Sequence, residues 1–165
     1  MKFLAIDFET ADYGTDSACA VGLVRVESGK IVASESHLIR PPRPNMYFSY
    51  LHGITWEDVQ DQPIFAGVWP RMEQLMNGVD FLVAHNARFD QGVMHACCAN
   101  AGIRVPDIPF KCTMILARRL WNIYPTNLPA VCRHFNIRLN HHNAASDTEA
   151  CARIMIEALK KEERV

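Results

Sequence analysis

Between Phe3 and Phe8 every residue except Asp7 is apolar. Alternate side chains of an extended chain point to opposite faces, which puts Leu4, Ile6 and Phe8 on one face and Phe3 and Ala5 on the other. A strand that is apolar on both faces has to be covered on both, so it belongs at the centre of a sheet between helical layers. Asp7 and Glu9 continue the second face, and two carboxylates therefore share one side of the strand end. The same acids make this stretch neither a signal peptide nor a membrane span.

The remainder of the 165-residue chain can supply the covering layers. Ala18 to Val26 and Lys30 to Ile39 flank Ser28-Gly29 and read as a hairpin, which makes the first three strands antiparallel neighbours. Arg40-Pro41-Pro42-Arg43-Pro44-Asn45 excludes helix and inner strand, and leads past Tyr47, Phe48 and Tyr50 to helical sequence from about Thr55. Helices are predicted from Ile64 to Met76, with Pro70 kinking it or delaying its start, and from Phe89 to Ala101. Further helices are predicted near Thr113 to Trp121, Leu128 to Phe135 and Ala145 to Lys161. Phe81-Leu82-Val83-Ala84 reads as a short buried strand, with another near Phe110. Strands followed by strand-helix alternation give an α/β fold, a mixed sheet flanked by helices, in a single domain over residues 1–165.

Two of these helices share a pattern. Asp90, Val93, Met94, Cys97, Cys98 and Ala101 in one, and Asp147, Ala150, Cys151, Ile154, Met155 and Ala158 in the other, follow the spacing i, i+3, i+4, i+7, i+8, i+11 of a core-facing stripe. Each aspartate heads a buried face. Either one alone reads as a first-turn acid stabilised by the helix dipole. Both together, with Asp7 and Glu9, read as a site, because an unpaired buried carboxylate costs several kcal/mol and needs a cation, a cap or a metal. Carboxylate oxygens are hard ligands of the kind Mg²⁺ and Mn²⁺ prefer, and two such ions can stabilise the attacking and leaving oxygens of a phosphodiester hydrolysis. His142, five residues ahead of Asp147, remains as a group that can accept a proton at neutral pH, with His141 as its rival. Two divalent cations add four positive charges and bring the formal net charge from −1 to +3, which suits a polyanionic substrate.

Three blocks resemble the DEDDh class of 3′-to-5′ exonucleases in the RNase H-like superfamily, and in particular the DNA polymerase III epsilon-like proofreading exonucleases. They are Asp7-Phe8-Glu9-Thr10, His85-Asn86-Ala87-Arg88-Phe89-Asp90 and His142-x-Ala144-x-x-Asp147, with Leu51-His52-Gly53-Ile54-Thr55 as a further block. The resemblance covers essentially the whole chain. It implies an RNase H-like mixed sheet, with strands 1–3 antiparallel and later strands parallel, and a metal-dependent enzyme releasing nucleotides from the 3′ end of single-stranded DNA or RNA. It implies that Asp7, Glu9, Asp90 and Asp147 organise two Mg²⁺ or Mn²⁺ ions and that His142 is the general base. It also puts Thr10 beside the terminal 3′-hydroxyl and Leu51, His52, Asn86 and Phe89 around the terminal nucleotide. The sequence departs from the family at Ala11-Asp12, where Thr-Gly is common, and at Thr148, where Ala is common. The chain ends 18 residues after Asp147, short of the tail by which a replicative proofreading subunit docks on its polymerase, so a stand-alone nuclease is expected.

Other residues take plainer readings. His52 and His85 can be core histidines satisfied by backbone groups. Cys97 and Cys98 are explained as core residues of the helical stripe, and no C-x₂-C pair supports a zinc site with His95. Six cysteines without a secreted spacing pattern fit reduced thiols in a cytoplasm. Arg40 and Arg43 with Tyr47, Phe48 and Tyr50 either track a nucleic-acid strand or form a solvated loop, and Arg118-Arg119 reads as a solvated helix face. An exoribonuclease, a non-catalytic polymerase-accessory module and an RNase H-type endonuclease are the competing functions. Four carboxylates with the histidine count against the second, and the histidine block is unexplained by the third.

Overall fold

In the computed structural model, which describes residues 1–164, five strands form one sheet in the order β3-β2-β1-β4-β5. These are β1 (Lys2–Thr10), β2 (Ala18–Glu27), β3 (Lys30–Leu38), β4 (Phe81–Ala84) and β5 (Phe110–Cys112). β1, β2 and β3 pair antiparallel, whereas β4 runs parallel to β1 and to β5. This is the mixed sheet expected from the sequence. The helices are α1 (Ser49–His52), α2 (Trp56–Val59), α3 (Phe65–Met76), α4 (Ala87–Ala101), α5 (Thr113–Trp121), α6 (Leu128–His134) and α7 (Ala144–Glu162). α1 has no counterpart among the expected elements, and α4 begins two residues earlier than its apolar stripe suggests. α3 runs through Pro70 from Phe65 onward. No helix among the described residues is long and apolar enough to cross a membrane.

Both faces of β1 are covered as its composition requires. Leu4, Ile6 and Phe8 pack with α3 and α4 through Val68, Trp69, Met72, Val93, Met94 and Cys98. Phe3 and Ala5 pack on the other side with Leu116 of α5 and Cys151, Ala152, Met155 and Ala158 of α7. α6 closes the outside of this layer, with Val131 and Cys132 against Ala117, Ala150 and Ile154. Each large apolar side chain so buried contributes roughly 2 kcal/mol. A one-residue slip of β1 would turn all of them to the wrong faces, and the same constraint decides where Asp7 and Glu9 point.

Two local features shape the end of β1. The pairing with β2 changes register between Glu9 and Thr10, so that Glu9 faces Ala20 and Thr10 faces Ala18, a bulge that redirects the chain as it leaves the sheet. Gly22, opposite Asp7 on β2, lies under the first turn of α7, where a Cβ would overlap the Thr148 hydroxyl and the Ala144 carbonyl. A glycine inside a strand marks such a close backbone approach. α7 can therefore lie directly on the sheet beside the carboxylates.

Candidate active site

β1 delivers Asp7 and Glu9 to its α7 face, and α7 supplies Asp147 from its first turn. The Asn143 side chain caps that turn by accepting from the Ser146 N–H at 3.1 Å. One carboxylate oxygen from each of Asp7, Glu9 and Asp147 lies within 4.8 Å of the others. Asp90 arrives differently. α4 packs on the opposite face of the sheet, but it follows β4, which is parallel to β1, so its first turn sits at the same sheet end as Glu9. Asp90 reaches that end from the other side, and its Oδ1 accepts the Phe8 backbone N–H at 2.8 Å. Both helical aspartates are buried, Asp90 at 2% exposure and Asp147 at 5%, as the two stripes predict.

Among the described residues no lysine or arginine pairs with these four carboxylates; His141 beside Asp147 is the cationic partner within reach. Oδ2 of Asp7 is enclosed and has no hydrogen-bond partner among the described residues. Burial, reinforced by Asp90, Glu9 and Asp147, pushes the Asp7 carboxyl well above the usual carboxylate range. Glu9 is pushed up to about 8 by burial and then by Asp147 and Asp90. Asp90 is raised to about 7 by burial, against the pull of the Phe8 N–H. Asp147 is raised by burial too, opposed chiefly by His141. A hard divalent cation is the group whose charge and oxygen preference match an orphaned buried oxygen in this setting, so the residues fit the metal the sequence implied.

The two histidines ahead of α7 divide the work. Nδ1 of His141 lies 3.3 Å from Oδ1 of Asp147, while His142 donates its backbone N–H to Oδ2 at 3.1 Å and keeps a ring nitrogen within 4.8 Å of the same carboxylate without a ring hydrogen bond to it. Their rings stack at 3.8 Å, and His142 adopts a left-handed backbone with φ 64°. Both line a cleft of about 320 Å³ with Asp7, Phe8, Glu9, Thr10, Phe48, Leu51, His52, Phe89 and Asp147. A larger open groove runs between α7 and residues 136–140, but Arg153 and Lys160 on its wall pair with Glu149 and Glu157, and it holds none of the four carboxylates.

Of the residues expected around a substrate end, Thr10, Leu51, His52 and Phe89 line the cleft and Asn86 does not. Asn86 turns β4 into α4 with left-handed angles of φ 66° and ψ 56° and is exposed. His52 accepts the Ile54 N–H on Nδ1 at 3.1 Å, so Nε2 carries the proton and donates to the Thr10 carbonyl at 3.0 Å. Burial holds its pKa below the ordinary value, and the neutral ring acts as a strut. His85 is satisfied by the Thr113 hydroxyl and the Thr126 carbonyl, each at 2.8 Å, as its plainer reading expected.

Two arginines have partners that their solvated readings did not include. Arg43 lies in the solvated loop its plainer reading expected, and there it also clamps Asp12, with Nε–Oδ2 at 2.8 Å, and Asp16, with Nη2–Oδ1 at 2.5 Å. Asp12, the departure noted after Glu9-Thr10, is thus half of an ion-pair clamp between two loops. Arg118 and Arg119 are exposed, as a solvated helix face requires, and Nε of Arg118 also donates to the buried Thr126 hydroxyl at 2.7 Å. The cysteines are free, and burial raises Cys97, Cys98 and Cys132 to about 11, so they remain thiols. Phe48, His141 and Gly22 were not assigned to the site from sequence. His141 carried a signal as the rival of His142, Phe48 as one of the aromatics after the proline-rich segment, and Gly22 as a glycine within a strand.

The fold and the carboxylate cluster at the end of its central strand define an RNase H-like α/β protein. Residues 4–155 match the Exonuclease family, RNase T, and the chain belongs to that family. It is 35% identical over 148 residues to exodeoxyribonuclease 10 of Escherichia coli K12, covering 84% of this chain and 60% of that protein. It is 32% identical over 165 residues to the PolC-type DNA polymerase III of Clostridium perfringens, covering 97% of this chain but 11% of the polymerase. A solved structure of exonuclease X in complex with 5′ overhanging duplex DNA superposes with a TM-score of 0.79 at 30% identity, covering 98% of this chain and 93% of that one. The chain thus spans between about a tenth and three fifths of the curated relatives named here.

Proposed function

We propose that this chain is a 3′-to-5′ exodeoxyribonuclease that releases nucleoside monophosphates from the 3′ end of single-stranded DNA, in proofreading or repair. The observation that carries the reading is the enclosed Oδ2 of Asp7, partnerless among the described residues, beside three other carboxylates whose protons are held chiefly by burial. Asp7, Glu9, Asp90 and Asp147 would hold two divalent cations, Mg²⁺ or Mn²⁺, which when bound supply charge stabilisation to the attacking and leaving oxygens of an in-line displacement.

The remaining work falls to the protein's own groups. His142, on the lip of the cleft, takes a proton from the attacking water as the new P–O bond forms. The P–O3′ bond breaks, and the departing 3′-oxygen takes up a proton. His141 holds Asp147 instead of serving as the base. Phe89 is 46% exposed at the cleft and offers a ring face to the terminal base, a sequence-tolerant contact. Leu51 and Phe48 wall the nucleotide, and Thr10 and the strut His52 sit beside its sugar.

DNA rather than RNA is supported by the exodeoxyribonuclease and overhanging-DNA relatives. The test is degradation of 5′-labelled single-stranded DNA, duplex DNA with a mispaired 3′ end, and RNA, with Mg²⁺ or Mn²⁺. A ladder shortening from the 3′ end, faster on DNA, is expected. Faster shortening of RNA assigns the ribonuclease alternative, internal cuts assign an endonuclease, and no cation-dependent ladder returns the chain to a binding role.

A further inference from the structure

Beside the cleft lies an aromatic surface that the proposed chemistry leaves unused. Tyr13, in the loop after β1, meets Phe48 edge-on with ring centroids 4.9 Å apart and Tyr47 at 6.2 Å, while Phe48 meets Tyr50 at 6.4 Å. Burial does not account for the cluster: Tyr13 is 84% exposed, Tyr50 78% and Tyr47 59%. Single exposed rings are ordinary, but a contiguous exposed group marks a surface that a partner covers. Phe48 belongs both to this cluster and to the cleft wall, so the two surfaces are continuous.

The rings are also held in place. The Phe48 N–H donates to the Ala11 carbonyl at 3.2 Å, and Nε2 of His52 donates to Thr10. Arg43 fastens the segment ahead of α1 to Asp12 and Asp16 and has no free fork for a phosphate. Three ties therefore join the aromatic loop to the end of β1 and the loop that follows it, and little ordering entropy is lost on binding.

We propose that Tyr13, Tyr47 and Tyr50 form a stacking platform for the bases of the single strand lying 5′ of the nucleotide in the cleft. The proposal rests on the exonuclease reading above. A polymer whose 3′ end lies in the cleft must leave along an adjoining surface. The tilt of 42° to 66° between neighbouring rings keeps ring faces open, as base stacking requires. Because the nearby guanidinium is engaged, this contact depends on stacking and only weakly on salt.

Two substrates separate the platform from the cleft: an oligothymidylate of about a dozen nucleotides, and the p-nitrophenyl ester of thymidine 5′-monophosphate, which is too short to leave the cleft. In the Tyr47→Ala/Tyr50→Ala variant, KM for the oligonucleotide is expected to rise about tenfold per ring removed, with kcat retained. Ester hydrolysis stays unchanged, and the Tyr47→Phe/Tyr50→Phe variant restores KM. The Kd of the fluorescently labelled oligonucleotide in EDTA shifts in parallel, and Tyr13→Ala behaves alike. Unchanged oligonucleotide KM and Kd would overturn the platform, as would equal losses on both substrates, which would mean that the rings only shape the cleft. If the wild-type protein hydrolyses neither substrate, the exonuclease reading falls and the Kd comparison alone decides the platform. Equal affinity of wild type and variant for DNA, with aromatic-dependent binding of a polymerase, would assign the surface to a protein instead.

Discussion

The Phe8 backbone N–H donates to Oδ1 of Asp90 at 2.8 Å, joining a helix on one face of the sheet to the strand whose other face carries Asp7 and Glu9. The bond does two things at once. It holds one Asp90 oxygen in register with β1, and it leaves the carboxylate charge within reach of Asp7, where it raises that group's pKa.

The anchoring role and the charge can be separated at this position. An Asn at 90 keeps an oxygen for the Phe8 N–H but lacks the charge, whereas Ala lacks both. Asp90→Asn is expected to fold like wild type and lose cation-dependent hydrolysis by roughly a hundredfold to a thousandfold. Asp90→Ala should lose as much activity and also about 1–3 kcal/mol of stability, because a buried N–H is left unpaired. Denaturant titration beside single-turnover assays distinguishes the two, and retained turnover in Asp90→Asn would remove Asp90 from the site.

Stability should depend on pH and divalent cation together. Glu9 and Asp90 have folded-state values of about 8 and about 7, above the ordinary carboxylate range near 4. A raised acid contributes stability that is complete below its unfolded pKa and is lost as pH rises through its folded pKa. In EDTA, Tm should therefore fall between pH 4 and pH 8, after the contribution of the Arg43-paired Asp12 and Asp16, held below the ordinary range, is complete. Mg²⁺ or Mn²⁺ should restore Tm, most strongly at the high end, and Asp7→Asn should raise the metal-free Tm. Differential scanning calorimetry across this range measures each effect, and a metal-free Tm that rises steadily toward pH 8 would contradict the charge cluster.

The adjacent histidines should fail in different ways. His142→Ala is expected to lower kcat by roughly a hundredfold or more and to flatten the acid limb of the pH-rate profile. His141→Ala removes a contact to Asp147 and should mainly change the cation concentration needed for half-maximal rate, keeping the acid limb. Profiles measured for both variants at saturating cation would reveal an exchange of roles.

Gly22 sets how closely α7 approaches the sheet. In Gly22→Ala the new methyl overlaps Thr148 and the Ala144 carbonyl, so the first turn of α7 must lift, at a cost of about 1–3 kcal/mol. Asp147 lifts with it, and activity should fall more than stability alone explains. Adding Thr148→Ala should recover part of both losses, since the backbone carbonyl remains in the way. A double-mutant cycle on Tm and turnover measures the coupling.

Much of this was legible because periodicity reports burial directly. The two-faced apolar run of β1 and the matched stripes of α4 and α7 showed which way Asp7, Glu9, Asp90 and Asp147 point, as each carboxylate sits in a row whose other members must be buried. The short helix α1 was not legible, since four residues after a proline-rich segment carry no period. The Arg43 ion pairs were not legible because its partners Asp12 and Asp16 are about thirty positions away and meet it only when two loops fold together.

By itself, then, the sequence determined the strand and helix faces, the inward direction of four carboxylates and the placement of a histidine on the loop before α7. Local side-chain alternation and helical spacing suffice for that. Only the tertiary structure decided that α4 and α7 approach from opposite faces of the sheet, that Asp90 is tied to Phe8, that the His141 ring and the His142 backbone engage Asp147, and that Gly22 admits Thr148. All but the His141 and His142 contacts to Asp147 join residues distant in the chain, and they exist because the buried core leaves the elements one way to pack.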